Sequence, residues 1–120
     1  MKKTISILGA TVLLVSLTGC SAPFNTFQRA QSSCSATSGI SILDNGKTLV
    51  IDMMGEDEYV GASYTDVICV ISAVNTPGYI VSQMQNTRAM DGMQSAEYDG
   101  ISVQWNYHPD SGLDVTYHKE

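Results

Sequence analysis

From Ser95 to His118 apolar and polar residues alternate, and two turn signals cut that alternation into three strands. Asp99-Gly100 suits a two-residue hairpin turn, where both central residues take positive φ. It pairs Tyr98 with Ile101 and Ala96 with Val103. The longer turn His108-Pro109-Asp110-Ser111-Gly112 carries proline and glycine where turns favour them. It pairs Tyr107 with Leu113, Trp105 with Val115 and Val103 with Tyr117. One face then reads Ala96, Tyr98, Ile101, Val103, Trp105, Tyr107, Leu113, Val115 and Tyr117. The other reads Ser95, Glu97, Ser102, Gln104, Asn106, Asp114, Thr116 and His118. Such segregation is the mark of an antiparallel sheet covered on one side only.

A second hairpin centres on Asn45-Gly46. Closing the turn there pairs Ile42 with Leu49 and Ile40 with Ile51, which places these residues and Met53 on one apolar face. Between the two sheet segments, Met54 to Gly61 reads as an acidic connector. Ser63-x-x-Asp66 then opens a helix whose stripe is Val67, Val70, Ile71 and Val74. Thr76-Pro77 fits the N-cap and first position of a second helix running to about Thr87, with Ile80 and Met84 inward. The expected fold is α+β: an antiparallel sheet of about five strands, from segments 40–53 and 94–118, with two helices packed on one face.

At the start of the chain, Lys2 and Lys3 precede an apolar run from Ile5 to Leu17 that closes on Leu17-Thr18-Gly19-Cys20. The pattern resembles a bacterial lipoprotein signal position by position. The run is short of the roughly 20 apolar residues that span a bilayer. The resemblance implies cleavage before Cys20, a lipid on the Cys20 thiol, and a protein held on the extracytoplasmic face of the cell membrane. The expected organisation is a signal peptide over 1–19, a lipid-anchored tether over 20–38 with a weak helical turn around Thr26–Gln31, and a small α+β domain over 39–120.

A mature chain of 101 residues is one small domain with a modest core, which a covalent staple would help. With Cys20 assigned to lipid, Cys34 and Cys69 remain as an even pair in an oxidising compartment, and a disulfide between them is expected. The alternatives are two free thiols or a zinc site, and zinc lacks its paired C-x-x-C spacing here. Cys69 lies nearly opposite the apolar stripe of its helix. The bond therefore predicts that the end of the tether packs over the outer face of that helix, outside the core.

Loss of Lys2 and Lys3 with the leader leaves four cations, Arg29, Lys47, Arg88 and Lys119, against twelve carboxylates, a formal charge of −8. Nucleic acid is an unsuitable partner, since phosphate binding needs a basic patch. An acidic surface suits a cationic protein, and it serves solubility equally well.

Catalytic signals are few. His108 and His118 are the only histidines, and with Asp110 and Asp114 nearby they can be drawn as a metal site or an acid–base pair; two exposed histidines are the simpler account. The chain has no G-x-S-x-G, no H-E-x-x-H and no phosphate-cradling glycine loop. Glu56-Asp57-Glu58 lacks the alternating oxygen donors of a calcium loop, and a solvated acidic loop is its default reading. Arg88 suits a structural ion pair, and Trp105 and the tyrosines suit the core. No cofactor, metal or catalytic residue is expected.

The stretches Thr87-Arg88-Ala89-Met90-Asp91-Gly92-Met93-Gln94 and Trp105 to Val115 resemble small lipoproteins and secreted proteins of actinobacteria and their phages. The resemblance covers the last third of the chain and brings no activity with it. It implies a high-GC Gram-positive type of host, with the lipid in the outer leaflet of the cytoplasmic membrane. The function class expected is a non-catalytic, lipid-anchored binding module, for instance an inhibitor or exclusion factor acting on a cationic wall hydrolase or phage component. Its candidate contacts are Glu56, Asp57, Glu58, Glu97, Gln104 and Asp114. The rival classes are an envelope enzyme or enzyme accessory, with a cleft gathering His108, Asp91 and Arg88, and a structural envelope spacer.

Overall fold

A computed structural model describes residues 25–120. Cys20 and the leader lie outside the described residues. Five strands form one antiparallel sheet: β1 (Ile40–Leu43), β2 (Thr48–Asp52), β3 (Gln94–Tyr98), β4 (Ile101–His108) and β5 (Gly112–Lys119). Their spatial order is β1-β2-β5-β4-β3, so the hairpin and the later meander join through β2 and β5. Every pairing predicted for the two hairpins and the meander is observed. The β2–β5 seam sets Leu49 against Tyr117 and Ile51 against Val115, which fuses two short apolar faces into one.

The turn chemistry explains the register. Asn45 (φ 55°) and Gly46 (φ 88°) both adopt the left-handed region that a right-twisted hairpin requires. Asp99 (φ 48°) and Gly100 (φ 74°) repeat the device between β3 and β4.

Among the described residues three helices pack on the apolar face, not two. They are α1 (Thr26–Ser33), α2 (Tyr64–Ala73) and α3 (Gly78–Gln85). Ser63 caps α2 by accepting from the Asp66 amide at 3.1 Å, and Val67, Val70, Ile71 and Val74 are buried as the stripe required. On α3, Ile80 and Met84 face inward. Thr76 does not cap that helix, because its hydroxyl bonds to the Tyr117 hydroxyl at 2.9 Å; Pro77 is the N-cap instead. The Trp105 indole is buried and donates to Thr87 Oγ1 at 2.8 Å, while Tyr98 donates to the Val74 carbonyl at 3.0 Å. Large aromatics are buried here with their polar atoms satisfied. Burial also pushes the Tyr117 hydroxyl well above the ordinary tyrosine range, partly offset by its Thr76 partner.

The third helix corrects the tether. Asn25 and Gln28 form a full capping box, in which the Asn25 side chain accepts from the Gln28 amide at 3.0 Å and Gln28 accepts from the Asn25 amide at 3.3 Å. Behind that box α1 buries Phe27 and Ala30, and Ala36 follows them into the core. The segment expected to lie over the outside of α2 therefore closes the core between α2 and β1. Cys34, half-buried at the end of α1, is bonded to the exposed Cys69 on the outer side of α2.

Candidate functional site

Both ends of the sheet carry carboxylates. At one lie the β1–β2 and β3–β4 turns and the end of β5, where Lys47 and Lys119, joined by a hydrogen bond from the Lys119 amide to the Lys47 carbonyl, sit among Asp44, Asp99 and Glu120. At the other, β2 ends and β5 begins, and carboxylates gather. Asp52 and Asp114 face each other directly across the β2–β5 ladder, on the side away from the helices. Asp114 is half-buried and its carboxyl is pushed above the usual carboxylate range. Desolvation is the largest cause, followed by the charge and hydrogen bonding of Asp52 and then the charge of Glu58. Like charges directly opposite on a sheet destabilise it.

The acidic connector joins this end. Met54 and Ala62 close its base through a 2.9 Å hydrogen bond, and the Glu58 carboxylate accepts from the Gly55 amide at 3.1 Å. Gly55 packs so tightly on the β4–β5 turn that a β-carbon there would collide with the Asp110 carbonyl. Glu58 is thereby held near enough to Asp114 for its charge to act there, and Glu56, Asp57 and Glu58 are all exposed. Of the candidate contacts, the loop and Asp114 come together. Glu97 does not join them: it pairs with Ser102, and Ser102 with His118, four residues or about 14 Å along β5 from Asp114, whereas Gln104 pairs with Thr116 and is a diagonal neighbour of Asp114 on the open face. Asp52 and Asp110 are members that sequence reasoning did not select.

A pH prediction follows from this pair. Because the folded state raises the Asp114 pKa, it holds that proton more tightly than the unfolded chain does. Stability is highest where Asp114 is protonated in both states, and it falls as pH rises from the ordinary carboxylate value through the folded one. Asp114→Asn should therefore stabilise the protein at pH 7 by about 0.2–1 kcal/mol, the range of a cross-strand pair. The gain should shrink at low pH and in high salt, as read by urea unfolding across pH.

The histidines do not form a joint site. Ser102 pairs with His118 and His108 with Gly112, so they stand six residues apart on one ladder, about 20 Å. His108 accepts from the Asp110 amide at 3.1 Å and lies 3.8 Å from its carboxylate. Arg88 pairs locally with Asp91, its side chain at 3.7 Å and its amide at 2.7 Å. His118 makes a contact the sequence did not suggest: Thr48 Oγ1 lies 2.6 Å from the Asp44 carboxylate and 2.8 Å from His118 Nδ1. A carboxylate only accepts, so the Thr48 proton goes to Asp44 and the hydroxyl accepts from His118. In a nucleophilic triad the imidazole stands in the middle and takes the hydroxyl proton. Here the hydroxyl stands in the middle, and its proton is committed to the acid. Among the described residues, no three His, Cys, Asp or Glu side chains are placed to hold a metal ion.

On the helical side of the acidic end an apolar groove of about 510 Å³ opens. Met53 and Leu113 come from the sheet, Tyr64, Ile68 and Ile71 from α2, and Val81 and Met84 from α3. A second depression continues it between the two helices, sharing Ile68, Ile71, Val81 and Gln85. Tyr107, expected in the core, lies on the apolar face but beyond the helices; it is 38% exposed and lines the groove.

No known protein family, curated protein or solved structure matches this chain.

Proposed function

We propose that this protein is a non-catalytic, lipid-anchored binding module on the extracytoplasmic face of the cell membrane, and that it engages a cationic protein. The observation that carries the reading is the gathering of Asp52, Glu58, Asp110 and Asp114, with exposed Glu56 and Asp57 on the same connector, at the end of the sheet where β2 ends and β5 begins, which holds no lysine among the described residues. Clustered like charge in solvent focuses a field that draws in an oppositely charged partner and speeds association. The Cys34–Cys69 disulfide supports an oxidising location, where such bonds persist. The Leu17-Thr18-Gly19-Cys20 signal supplies the anchor. Inhibition or exclusion of a cationic envelope protein is the role this arrangement suits best.

Anchoring also sets an orientation. The Asn25 side chain donates to the Gly46 carbonyl at the β1–β2 turn. Four residues, Ser21 to Phe24, separate Cys20 from that point, a reach of about 18 Å at most. The end of the sheet with the β1–β2 turn then lies toward the membrane, and the end with the Asp52–Asp114 pair away from it.

Metabolic labelling with a fatty acid in a lipoprotein-processing bacterium tests the anchor. The full chain should take up label and partition into detergent, and Cys20→Ser should do neither. A Cys20→Ser protein that still partitions into detergent after leader cleavage would refute the anchor. Proteins captured from envelope extract by immobilised residues 21–120 should be basic and should elute with salt. Capture indifferent to salt would assign the charge to solubility alone.

A further inference from the structure

We infer that the free edge of β3 receives a basic, extended segment of the partner, which adds to the sheet antiparallel to β3 with a lysine or arginine opposite Glu97. This rests on the cationic-partner reading above and adds where and how that partner binds.

The hydrogen-bond register leaves this edge open. Successive residues of a strand turn their backbone groups to alternate neighbours. The Met53 amide donates to the Leu113 carbonyl and the Lys119 amide to the Lys47 carbonyl, so odd-numbered residues of β5 bond to β2 and even-numbered ones to β4. Carried across β4, the alternation gives Ser102, Gln104 and Asn106 to β5, and Ile101, Val103 and Trp105 to Tyr98, Ala96 and Gln94 of β3. Ser95 and Glu97, both exposed, are left with N–H and C=O directed outward, and among the described residues no strand pairs with that side. The opposite edge differs, because Gln31 on α1 donates to the Ile40 carbonyl of β1 at 3.3 Å. Nor does β3 carry a proline, a lysine or a bulge, the usual guards of an exposed edge.

Charge selects the occupant. A depression at the β3–β4 turn is lined by Glu97, Asp99 and Glu120, and by no lysine or arginine among the described residues. Lys119 pairs with Ile101 on the helix side of the sheet, whereas Glu97 shares the open face with Ser102 and His118. A strand antiparallel to β3 that sets one cation opposite Glu97 sets the residue two places earlier beside Asp99. The residue after the first cation lies opposite half-buried Ala96, at the rim of the apolar face. The pattern recognised is therefore cation, any residue, cation, apolar residue. Strand addition takes its affinity from main-chain bonds and its specificity from such alternate side chains. An acidic strand meets like charge directly opposite. A second copy of β3 brings its own Glu97 and Asp99, and the formal charge of −8 on each mature chain opposes it.

The test is amide NMR of residues 21–120, which hold every described element, with the capped peptide Lys-Thr-Lys-Val-Thr-Val. Its third residue is placed opposite Glu97 and its fifth opposite Ser95. The Ser95 and Glu97 amides should shift, and their hydrogen exchange should slow. N-methylation of the third and fifth residues removes the donors that meet β3 and should weaken binding about tenfold or more. N-methylation of the second and fourth, whose amides point away, should leave it unchanged. Glutamine in place of both lysines should cost about tenfold at low salt. Glu97→Gln, an exposed change, should weaken the parent peptide by about two- to fivefold, the range of one cross-strand charge pair.

Indifference to N-methylation at the third and fifth residues, with salt-sensitive binding elsewhere, would overturn strand addition and leave the cationic partner standing. Equal binding of the lysine and glutamine peptides at every salt concentration would overturn the cationic reading and this inference with it. Shifts at Ser95 and Glu97 on concentrating the protein alone would assign the edge to a second copy and overturn the inference. No shift there at millimolar peptide would overturn it as well.

Discussion

Phe27→Ala is expected to lower folding stability by about 3–5 kcal/mol, the cost of emptying a buried phenylalanine site. Phe27 is 1% exposed and its ring packs on Tyr117, centroids 6.2 Å apart, in the middle of the sheet. Truncation removes the aromatic contact and leaves a cavity that neighbouring Tyr117, itself tied to Thr76, cannot fill. For a domain of this size each kcal/mol corresponds to about 4–8 °C in melting temperature, so the midpoint should fall by about 12 °C or more. Arg29→Ala on the exposed side of the same helix is the control and should stay within about 0.5 kcal/mol. Urea and thermal unfolding of residues 21–120 decide the matter. If both variants unfold like the parent, α1 is a tether after all.

That variant sits where sequence reasoning and the structure part. The sheet was legible because its signals are redundant. Asn45-Gly46 and Asp99-Gly100 fix turn position through backbone sterics, and the apolar alternation fixes the face, so each checks the other. The α2 stripe was legible for the same reason. Helix α1 was legible only as a weak turn around Thr26–Gln31, not as a packed element, because TFQRAQSS offers only Phe27 and Ala30 as apolar residues and no sustained period. Its signal was there in another form, as Asn25-x-x-Gln28 just ahead of the core residue Ala30, a capping box that composition alone disguises as a polar linker. The β2–β5 seam was equally hidden. Joining two sheets is a tertiary choice that neither segment encodes locally, yet it places Asp52 opposite Asp114 and so creates the acidic end.

The candidate site divides along the same line. Glu56, Asp57 and Glu58 were visible as a charged run, and Asp114 as a polar-face residue. Their convergence needed the seam and the packing of Gly55 on the β4–β5 turn. Glu97 and Gln104 share the open face with Asp114 in the period-two pattern, but that pattern carries no distance. The groove had no sequence signature, since Ile68 and Val81 read as helix residues near the apolar stripe. It is formed where side chains of α2 and α3 line one depression above the sheet, a tertiary arrangement that neither helix encodes alone.

Reducing the Cys34–Cys69 bond should cost about 3–4 kcal/mol, because its 35-residue separation removes a large loop-closure entropy from the unfolded chain. The melting temperature should fall by about 12 °C or more, and Cys34→Ser with Cys69→Ser should reproduce the loss without reductant. Cys69 is exposed, so dithiothreitol reaches the bond in the folded protein. The effect should also be local. The disulfide ties the last turn of α1 to α2, while the first turn is held only by the capping box, the Asn25–Gly46 bond and the burial of Phe27 and Ala30. Without the tie, α1 can detach while the sheet persists, which is an opening of lower free energy than global unfolding. Amide exchange in 26–33 should therefore accelerate on reduction well beyond the change in β5, the central strand. Uniform acceleration would mean that α1 and the sheet open only together, with the disulfide acting on the unfolded chain alone. Thiol titration under denaturing, non-reducing conditions should find no free thiol at Cys34 or Cys69 in protein exported to an oxidising compartment. Two reactive thiols there would remove both the staple and the argument for its location.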